Sequence, residues 1–412
     1  MSIRPGPPTY AGGAGFILSS MTRIPAGSDP LIEPGDRLSS ERTARYSRTV
    51  SLPGFGLVAQ RRLAAARVLV VGAGGLGSAT IPGLAAAGFG TVGIIDADSV
   101  EASNLPRQTI HGIRDVGRSK VASALETVAM LDPDTRAIGY EVMLTADNAL
   151  EILGDYDLVL DGSDNFATRY LTNDAALISG IPVVWGAVHQ FGGQAGVSWA
   201  ARGPHYRDLF PEPPAPGTVP SCAEAGALPS VCAVIGGLMV TEAIKLVSGV
   251  GDPLLGRVTI YDSLRGTFRE VAYDSDPAGT PVTGLVDYDA FCGVAPDTDA
   301  TRAGTDIGSR ELSELLAAGA DIRILDVRDP WEAQVATLGG SLLLPLGELE
   351  IDPQAAADSL RGGPPIVVYC HHGSRSERAR DLLESGGLGG VRVLAGGIDE
   401  WSATIDPSIT RY

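Results

Sequence analysis

The chain has 412 residues, with 49 acidic against 31 basic side chains and a formal net charge of −18. That length implies more than one domain, and the charge argues against nucleic acid as the main partner, because a phosphate backbone selects cations. Four cysteines are too few for a disulfide framework, no continuous apolar run reaches the ~18 residues of a membrane span, and Arg4 leads into Pro5-Gly6-Pro7-Pro8 rather than a signal-like apolar core, so a soluble, cytoplasmic protein is expected.

Residues 1–40 are rich in Gly, Pro and Ser without periodicity and read as a flexible tail. A helical stretch follows from Ser40 through Arg45-Tyr46-Ser47-Arg48. A Gly/Pro turn and a short helix up to Arg67 then feed a buried apolar run, Val68–Val71. Gly72, Gly74, Gly75 and Gly77 come next, then a helix of small residues. A second apolar run, Val92–Ile95, ends on Asp96. Strand, glycine loop, helix, strand and acid make a nucleotide-binding unit. Glycines let the backbone approach a phosphate, the helix N-terminus offers free N–H groups, and the acid is placed for a ribose hydroxyl. Pro82-Gly83 interrupts the helix, which predicts a kink or a start late enough to seat Pro82 in the first turn.

Ser103-Asn104-Leu105-Pro106-Arg107-Gln108 is a polar loop beyond the second strand. Lys120 opens a helix to Leu131, residues 138–144 read as a strand, and Asp157–Asp161 is a buried strand running into Gly162-Ser163-Asp164-Asn165 and a helix to Ser179. Pro182–Gly186 is a further strand and Val188–Trp199 reads as antiparallel. Residues 203–230 form a long Pro-rich loop containing Cys222. A helix over 231–248 and strands near 257–262 and 267–272 close the domain. The alternation predicts an α/β fold with a doubly wound, Rossmann-like, mainly parallel sheet over 41–275. Residues 276–305, rich in Asp, Pro, Gly and Thr, read as a linker. A smaller α/β domain occupies 306–412.

A nicotinamide site needs little positive charge at its phosphates, whereas a triphosphate needs cations and a carboxylate for Mg²⁺. Arg107, Lys120 and Asp164 therefore favour ATP over NAD. Only two of the 31 basic residues are lysines, Lys120 and Lys245, which suggests positions that need a compact ammonium.

Arg45-Tyr-Ser-Arg48, the Gly72–Gly77 loop, Asp96, the 103–108 loop, Gly117-Arg-Ser-Lys120 and Asp161-Gly-Ser-Asp-Asn165 together resemble the MoeB/ThiF family, relatives of the ubiquitin-activating enzymes. The resemblance implies adenylylation of the C-terminal Gly-Gly carboxylate of a ubiquitin-like sulfur carrier by ATP·Mg²⁺. It places Gly72, Gly74, Gly75 and Gly77 in the phosphate loop and Asp96 at the ribose, with Ser103 and Asn104 beside the nucleotide. Arg107 and Lys120 fall at phosphates, and Asp164 at Mg²⁺ with Asn165 beside it. Arg48 would reach the phosphates of a neighbouring subunit, which implies a homodimer. Cys222 matches the family's mobile cysteine, while Cys232 on an apolar helix reads as core and Cys292 as incidental. Zinc-containing members would carry Cys-x-x-Cys pairs at 205–208 and near 274–280. This chain has His205-Tyr-Arg-Asp208 and no cysteine there, so no structural zinc is expected.

In the second domain Cys370 ends a predicted strand, and His371-His372-Gly373-Ser374-Arg375 leads into a helix. That setting stabilises an anionic sulfur, and Arg375 adds charge. Four residues between Cys and Arg make a cradle tighter than the five of tyrosine phosphatases. With Leu325-Asp-Val-Arg328 and Gly396-Gly-Ile-x-x-Trp401, it resembles the rhodanese sulfurtransferases, which carry a cysteine persulfide. Thr337-Leu-Gly-Gly-Ser341 departs from the usual rhodanese loop and predicts altered entry. The combination implies an adenylyltransferase and sulfurtransferase of molybdopterin-, thiamine- or cysteine-type sulfur metabolism, with thiosulfate or a cysteine desulfurase as donor. Cys222 would either form a thioester or resolve a disulfide with Cys370. The alternatives are a nucleotide-binding scaffold that presents the rhodanese domain without adenylylation, and an NAD-dependent oxidoreductase.

Overall fold

The structure, a computed structural model, describes residues 29–214, 226–293 and 306–411. The chain divides into two compact units between residues 293 and 306. The first unit holds an eight-stranded sheet. Its strands are β1 (Arg67–Val71), β2 (Thr91–Ile95), β3 (Arg136–Tyr140), β4 (Leu158–Asp161), β5 (Val183–His189), β6 (Gly192–Ser198), β7 (Arg257–Asp262) and β8 (Thr267–Ala272). Their spatial order is β3-β2-β1-β4-β5-β6-β7-β8. The first five run parallel, and β5 through β8 are antiparallel.

The central strands read as unbroken apolar runs because helices cover both faces. Side chains of β1 alternate between two cores. Val68 and Val70 join one cluster with Ile81, Leu84 and Ile235, while Leu69 and Val71 join another with Tyr170 and Trp185. The edge strand β3 is less buried, which blurs its pattern; it lies over 136–140 rather than 138–144. The chain reverses at β1, with β2 on one side and β4 on the other, so the C-terminal ends of these strands open the crevice where α/β sheets take ligands.

The helix Gly77–Ala87 continues past Pro82, which sits in its second turn rather than its first. Its neighbour Gly83 explains the tolerance. A Cβ there would lie 2.9 Å from Val240, so this face is pressed against the helix Pro229–Ser248. Burial along that contact offsets the lost backbone hydrogen bond. Pro229–Ser248 is the one helix among the described residues long and apolar enough to span a bilayer, and half of that window is buried inside the unit.

Two segments differ from their sequence reading. The Pro-rich stretch 203–230 contains a short helix, Tyr206–Leu209, and Cys222 lies outside the described residues. Within 276–305, the helix Tyr288–Phe291 packs on the first unit. Tyr288 and Cys292 are buried in the Tyr170 cluster, and Tyr288 donates to Asp174 at 2.7 Å. Composition hid this docking because a few aromatic contacts outweigh polar surroundings.

The second unit is a five-stranded, all-parallel sheet. Its strands are β9 (Asp306–Ile307), β10 (Arg323–Asp326), β11 (Leu342–Leu343), β12 (Ile366–Tyr369) and β13 (Arg392–Leu394), in the order β11-β10-β12-β13-β9. Here too alternation splits the strands between two cores, with Leu325 and Val368 on one face and Ile324, Val367 and Tyr369 on the other.

Candidate active sites

In the first unit, β1 is followed directly by Gly72, whose φ of +90° suits only glycine and lets the loop turn under the following helix. A Cβ at Gly77 would overlap the Gly72 carbonyl, so the loop closes only with glycine at both places. Asp96 sits beside it. One carboxylate oxygen accepts the Ala73 N–H at 2.8 Å and the other accepts the Asp98 N–H at 2.8 Å. Asp96 therefore ties the loop to the end of β2. Lys120, the first residue of its helix, is nearly buried and places Nζ 2.7 Å from the exposed carboxylate of Asp98. Arg107 is half-buried and donates to the Ser103 carbonyl at 3.2 Å. Asn104 is buried and its Oδ1 accepts the Glu101 N–H at 3.4 Å, while the exposed Ser103 hydroxyl donates to the Glu101 carboxylate at 3.2 Å.

Two partners were not read from the sequence. His111 is buried, with Nε2 3.0 Å from the Ala73 carbonyl and Nδ1 2.9 Å from Ser123 Oγ. A carbonyl only accepts, so Nε2 carries the proton and Nδ1 accepts from the serine. Burial pushes this imidazole below its ordinary value, which keeps it neutral. Gln108 is buried close to Gly74, and its Oε1 lacks a hydrogen-bond partner. An unmet buried acceptor beside a glycine cradle fits a ligand that donates there.

On the other side of β1, Asp161 accepts Ser163 N–H at 2.9 Å and its hydroxyl at 2.6 Å. Buried Arg169 donates to the Ser163 and Gly186 carbonyls at 2.6 and 2.7 Å, fixing the turn that presents Asp164. Asp164 is exposed and could face a cation. Asn165 caps the helix Phe166–Ser179 through Thr168 N–H at 2.8 Å, so its first role here is structural. Arg48 is exposed on the short helix Ser47–Val50. The arm that carries it is held by Tyr46, whose hydroxyl bonds buried Asp132, and by Arg45 on the Leu131 carbonyl.

In the second unit β12 delivers buried Cys370 to a loop whose Gly373 N–H lies 3.1 Å from Sγ. The helix Ser374–Ser385 starts directly behind it. The N–H groups of Ile398 and Asp399 bind the Cys370 and His371 carbonyls at 3.0 and 3.2 Å, so Gly396-Gly397 serves to bring a second helix N-terminus under the loop. Arg328 is fully buried and grips Asp326 at 2.8 and 2.6 Å, while Tyr369 donates to the same carboxylate at 2.7 Å. The Tyr369 hydroxyl also meets Leu338 N–H, Thr337 and Ser341, which anchors the departing 337–341 loop beside Cys370. Arg375 does not add free charge. Its guanidinium is bound through two bonds, 2.6 and 2.8 Å, to buried Glu332, 43 residues earlier.

The ThiF family profile matches residues 46–281, and the Rhodanese-like domain profile matches 309–404. The chain belongs to the ThiF family. This ThiF-family chain is 46% identical over 388 residues to the "Probable adenylyltransferase/sulfurtransferase MoeZ" of Mycobacterium tuberculosis, covering 93% of this chain and 98% of that protein. It is 48% identical over 270 residues to the "Sulfur carrier protein adenylyltransferase" of Thermus thermophilus, covering 63% of this chain and 99% of that one. With the mouse "Adenylyltransferase and sulfurtransferase MOCS3" it shares 38% identity over 93% of this chain and 90% of the other. Among solved structures, Escherichia coli MccB superposes with a TM-score of 0.53 at 20% identity, covering 62% of this chain and 76% of MccB, which supports the fold alone.

The zinc position of some ThiF-family relatives can be tested by donor chemistry. Among the described residues no group of three or more His, Cys, Asp or Glu side chains is arranged to hold a metal. Asp208 instead accepts His205 N–H at 2.7 Å and Asp276 N–H at 2.9 Å, and His205 Nδ1 accepts Arg207 N–H at 3.2 Å. The two segments that a zinc would knot are joined by a carboxylate, and they do not fit the metal. Lys245, the second lysine, is structural. It pairs with buried Glu242 at 2.5 Å and binds the Asp252 carbonyl at 2.8 Å.

Proposed function

We propose that the protein activates the C-terminal Gly-Gly carboxylate of a ubiquitin-like sulfur carrier with ATP and converts it to a thiocarboxylate. The observation that carries this reading is the presence, in one chain, of a glycine loop served by Lys120 and Asp96 and of a persulfide-type loop at Cys370. A carboxylate oxygen attacks the α-phosphorus, the α–β bridge breaks, and pyrophosphate leaves. Lys120 and Arg107 offset the charge that builds in this step. Mg²⁺, when bound, would supply further charge neutralisation, and exposed Asp164 would be its ligand. Arg48 acts on the phosphates of a partner subunit in a homodimer. The terminal sulfur of a Cys370 persulfide then attacks the acyl carbon and AMP leaves. Cys222 thiolate attacks the Cys370 sulfur, a Cys222–Cys370 disulfide forms, and the thiocarboxylate departs with the bonding pair. A dithiol reductant resets the disulfide. The test is mass spectrometry of Gly-Gly-terminated carriers after incubation with ATP, Mg²⁺ and a sulfane-sulfur donor. The expected product carries sulfur in place of one carboxylate oxygen. Failure of every carrier to support pyrophosphate exchange would sink the reading.

A further inference from the structure

The charge around Cys370 is balanced before any substrate arrives. Arg375 is the only arginine or lysine in the Cys370–Arg375 loop, and Glu332, 2% exposed, accepts from both of its terminal nitrogens and balances its charge. A pair this well buried and hydrogen-bonded does not open cheaply, since breaking it strands a carboxylate away from water. His371 and His372 stack with ring centroids 4.1 Å apart, and burial first, then His372, push the His371 imidazole below its ordinary value. The charged groups facing His371 are Asp399, Glu332 and Arg375, and each acid is matched by an arginine, Asp399 by Arg411 at 2.8 and 2.7 Å. Across 306–411 acidic residues outnumber arginines 17 to nine. The Gly373 N–H is directed at the Cys370 sulfur itself and favours one negative charge, not three.

The rim beside the loop has a different character. The helix Pro330–Val335 turns Glu332 inward and leaves Trp331 and Val335, four residues apart, 54% and 43% exposed. Apolar surface there suits a donor with an organic body.

We propose that Glu332, by masking Arg375, makes the Cys370 loop selective for persulfides of organic thiols over dianionic thiosulfate. This rests on the sulfurtransferase reading above and names the donor class. In the step, Cys370 thiolate attacks the outer sulfur of R–S–SH, the donor S–S bond breaks, and its pair leaves on R–S⁻, which takes up the proton. Cys370 becomes a persulfide and no external oxidant or reductant is consumed. With thiosulfate the leaving group would be sulfite, and its precursor would bring two negative charges to a loop whose one arginine is already paired with Glu332.

The test uses the full chain at pH 8, with glutathione persulfide and sodium thiosulfate as donors. Added sulfur on the Cys370 peptide is followed by mass spectrometry to give a loading kcat/KM for each. Wild type should load at least a hundredfold faster from the persulfide. His372→Arg, which adds a cation without touching the buried pair, should lower that persulfide-to-thiosulfate ratio at least tenfold, and Glu332→Gln should lower it further if it folds. Equal loading from both donors in wild type, or a ratio unmoved in folded His372→Arg, overturns the proposal alone. Loading from neither donor overturns the sulfurtransferase reading and this proposal with it.

Discussion

Replacing Lys120 by Met separates the chemistry of the nucleotide site from its stability. Methionine keeps an unbranched apolar stem where the lysine side chain is 8% exposed, and it deletes only the ammonium. The abandoned partner, Asp98, has a side chain 68% exposed, so its carboxylate turns to water and no buried charge is stranded. Stability should therefore fall by only about 0–1 kcal/mol, the usual worth of a surface ion pair. The transition state loses far more. A unit charge ~4 Å from a phosphate oxygen contributes about 4 kcal/mol at an effective dielectric near 20. Partial screening brings the expected loss in carrier-dependent ATP–pyrophosphate exchange to roughly 10²–10³-fold. Lys120→Arg should recover little, because a planar guanidinium cannot occupy the compact position of the ammonium. The measurements are exchange rate and thermal midpoint on the same preparation. An exchange rate within threefold of wild type in a folded Lys120→Met protein would refute the role given to this residue.

Cys370→Ser should abolish thiocarboxylate formation while leaving pyrophosphate exchange at the wild-type rate, measured in parallel on one carrier. Lys245→Met leaves Glu242 buried without its counter-charge and should cost about 3 kcal/mol by denaturant unfolding. Burial already raises Glu242 above its ordinary carboxyl value, so its ionisation opposes folding at neutral pH. The opposition disappears as pH falls through the raised folded value, so the gap between wild type and variant should narrow on acidification. His111 has the opposite sign. Burial lowers its folded value, so its contribution is complete above the unfolded imidazole value of ~6.5 and declines below it. His111→Gln should flatten this part of the stability–pH curve, and a curve that superposes on wild type between pH 5 and 7 would count against the neutral tautomer assigned here.

The features that could be read from the sequence are those whose cause is local. A parallel strand covered on both faces must be apolar throughout, so β1, β2 and β4 declare themselves as runs, and glycines at both ends of a tight loop announce the backbone approach at Gly72 and Gly77. Cys370 is legible for the same reason, since strand end, short loop and helix start lie within six residues. His111 and Glu332 were not, because their partners are distant in sequence: Ala73 is 38 residues from His111, and Arg375 is 43 from Glu332. A histidine in a polar loop and a glutamate in a short helix carry no periodic signal that selects those partners. Arg375 shows how this misleads. The sequence reading counted its charge as available, because the residue that neutralises it sits on another strand's connection.

Lys120 and Arg375 both rest in close ion pairs, yet the burial of their partners gives the pairs different consequences. Asp98 is at the surface, where water replaces the lost contact, so an arriving phosphate competes for Lys120 at little cost and the pair is a resting arrangement. Glu332 has a side chain 3% exposed and would enter an uncompensated, desolvated state if Arg375 moved to a substrate anion. The first site can thus release positive charge toward a polyanionic nucleotide, while the second retains its own and leaves the sulfur to the Gly373 N–H. That division suits the proposed sequence of steps. Adenylylation must gather and neutralise phosphate charge. Sulfur transfer must keep a persulfide anion reactive, and a free guanidinium beside it would hold the anion in place and blunt its attack on the acyl carbon.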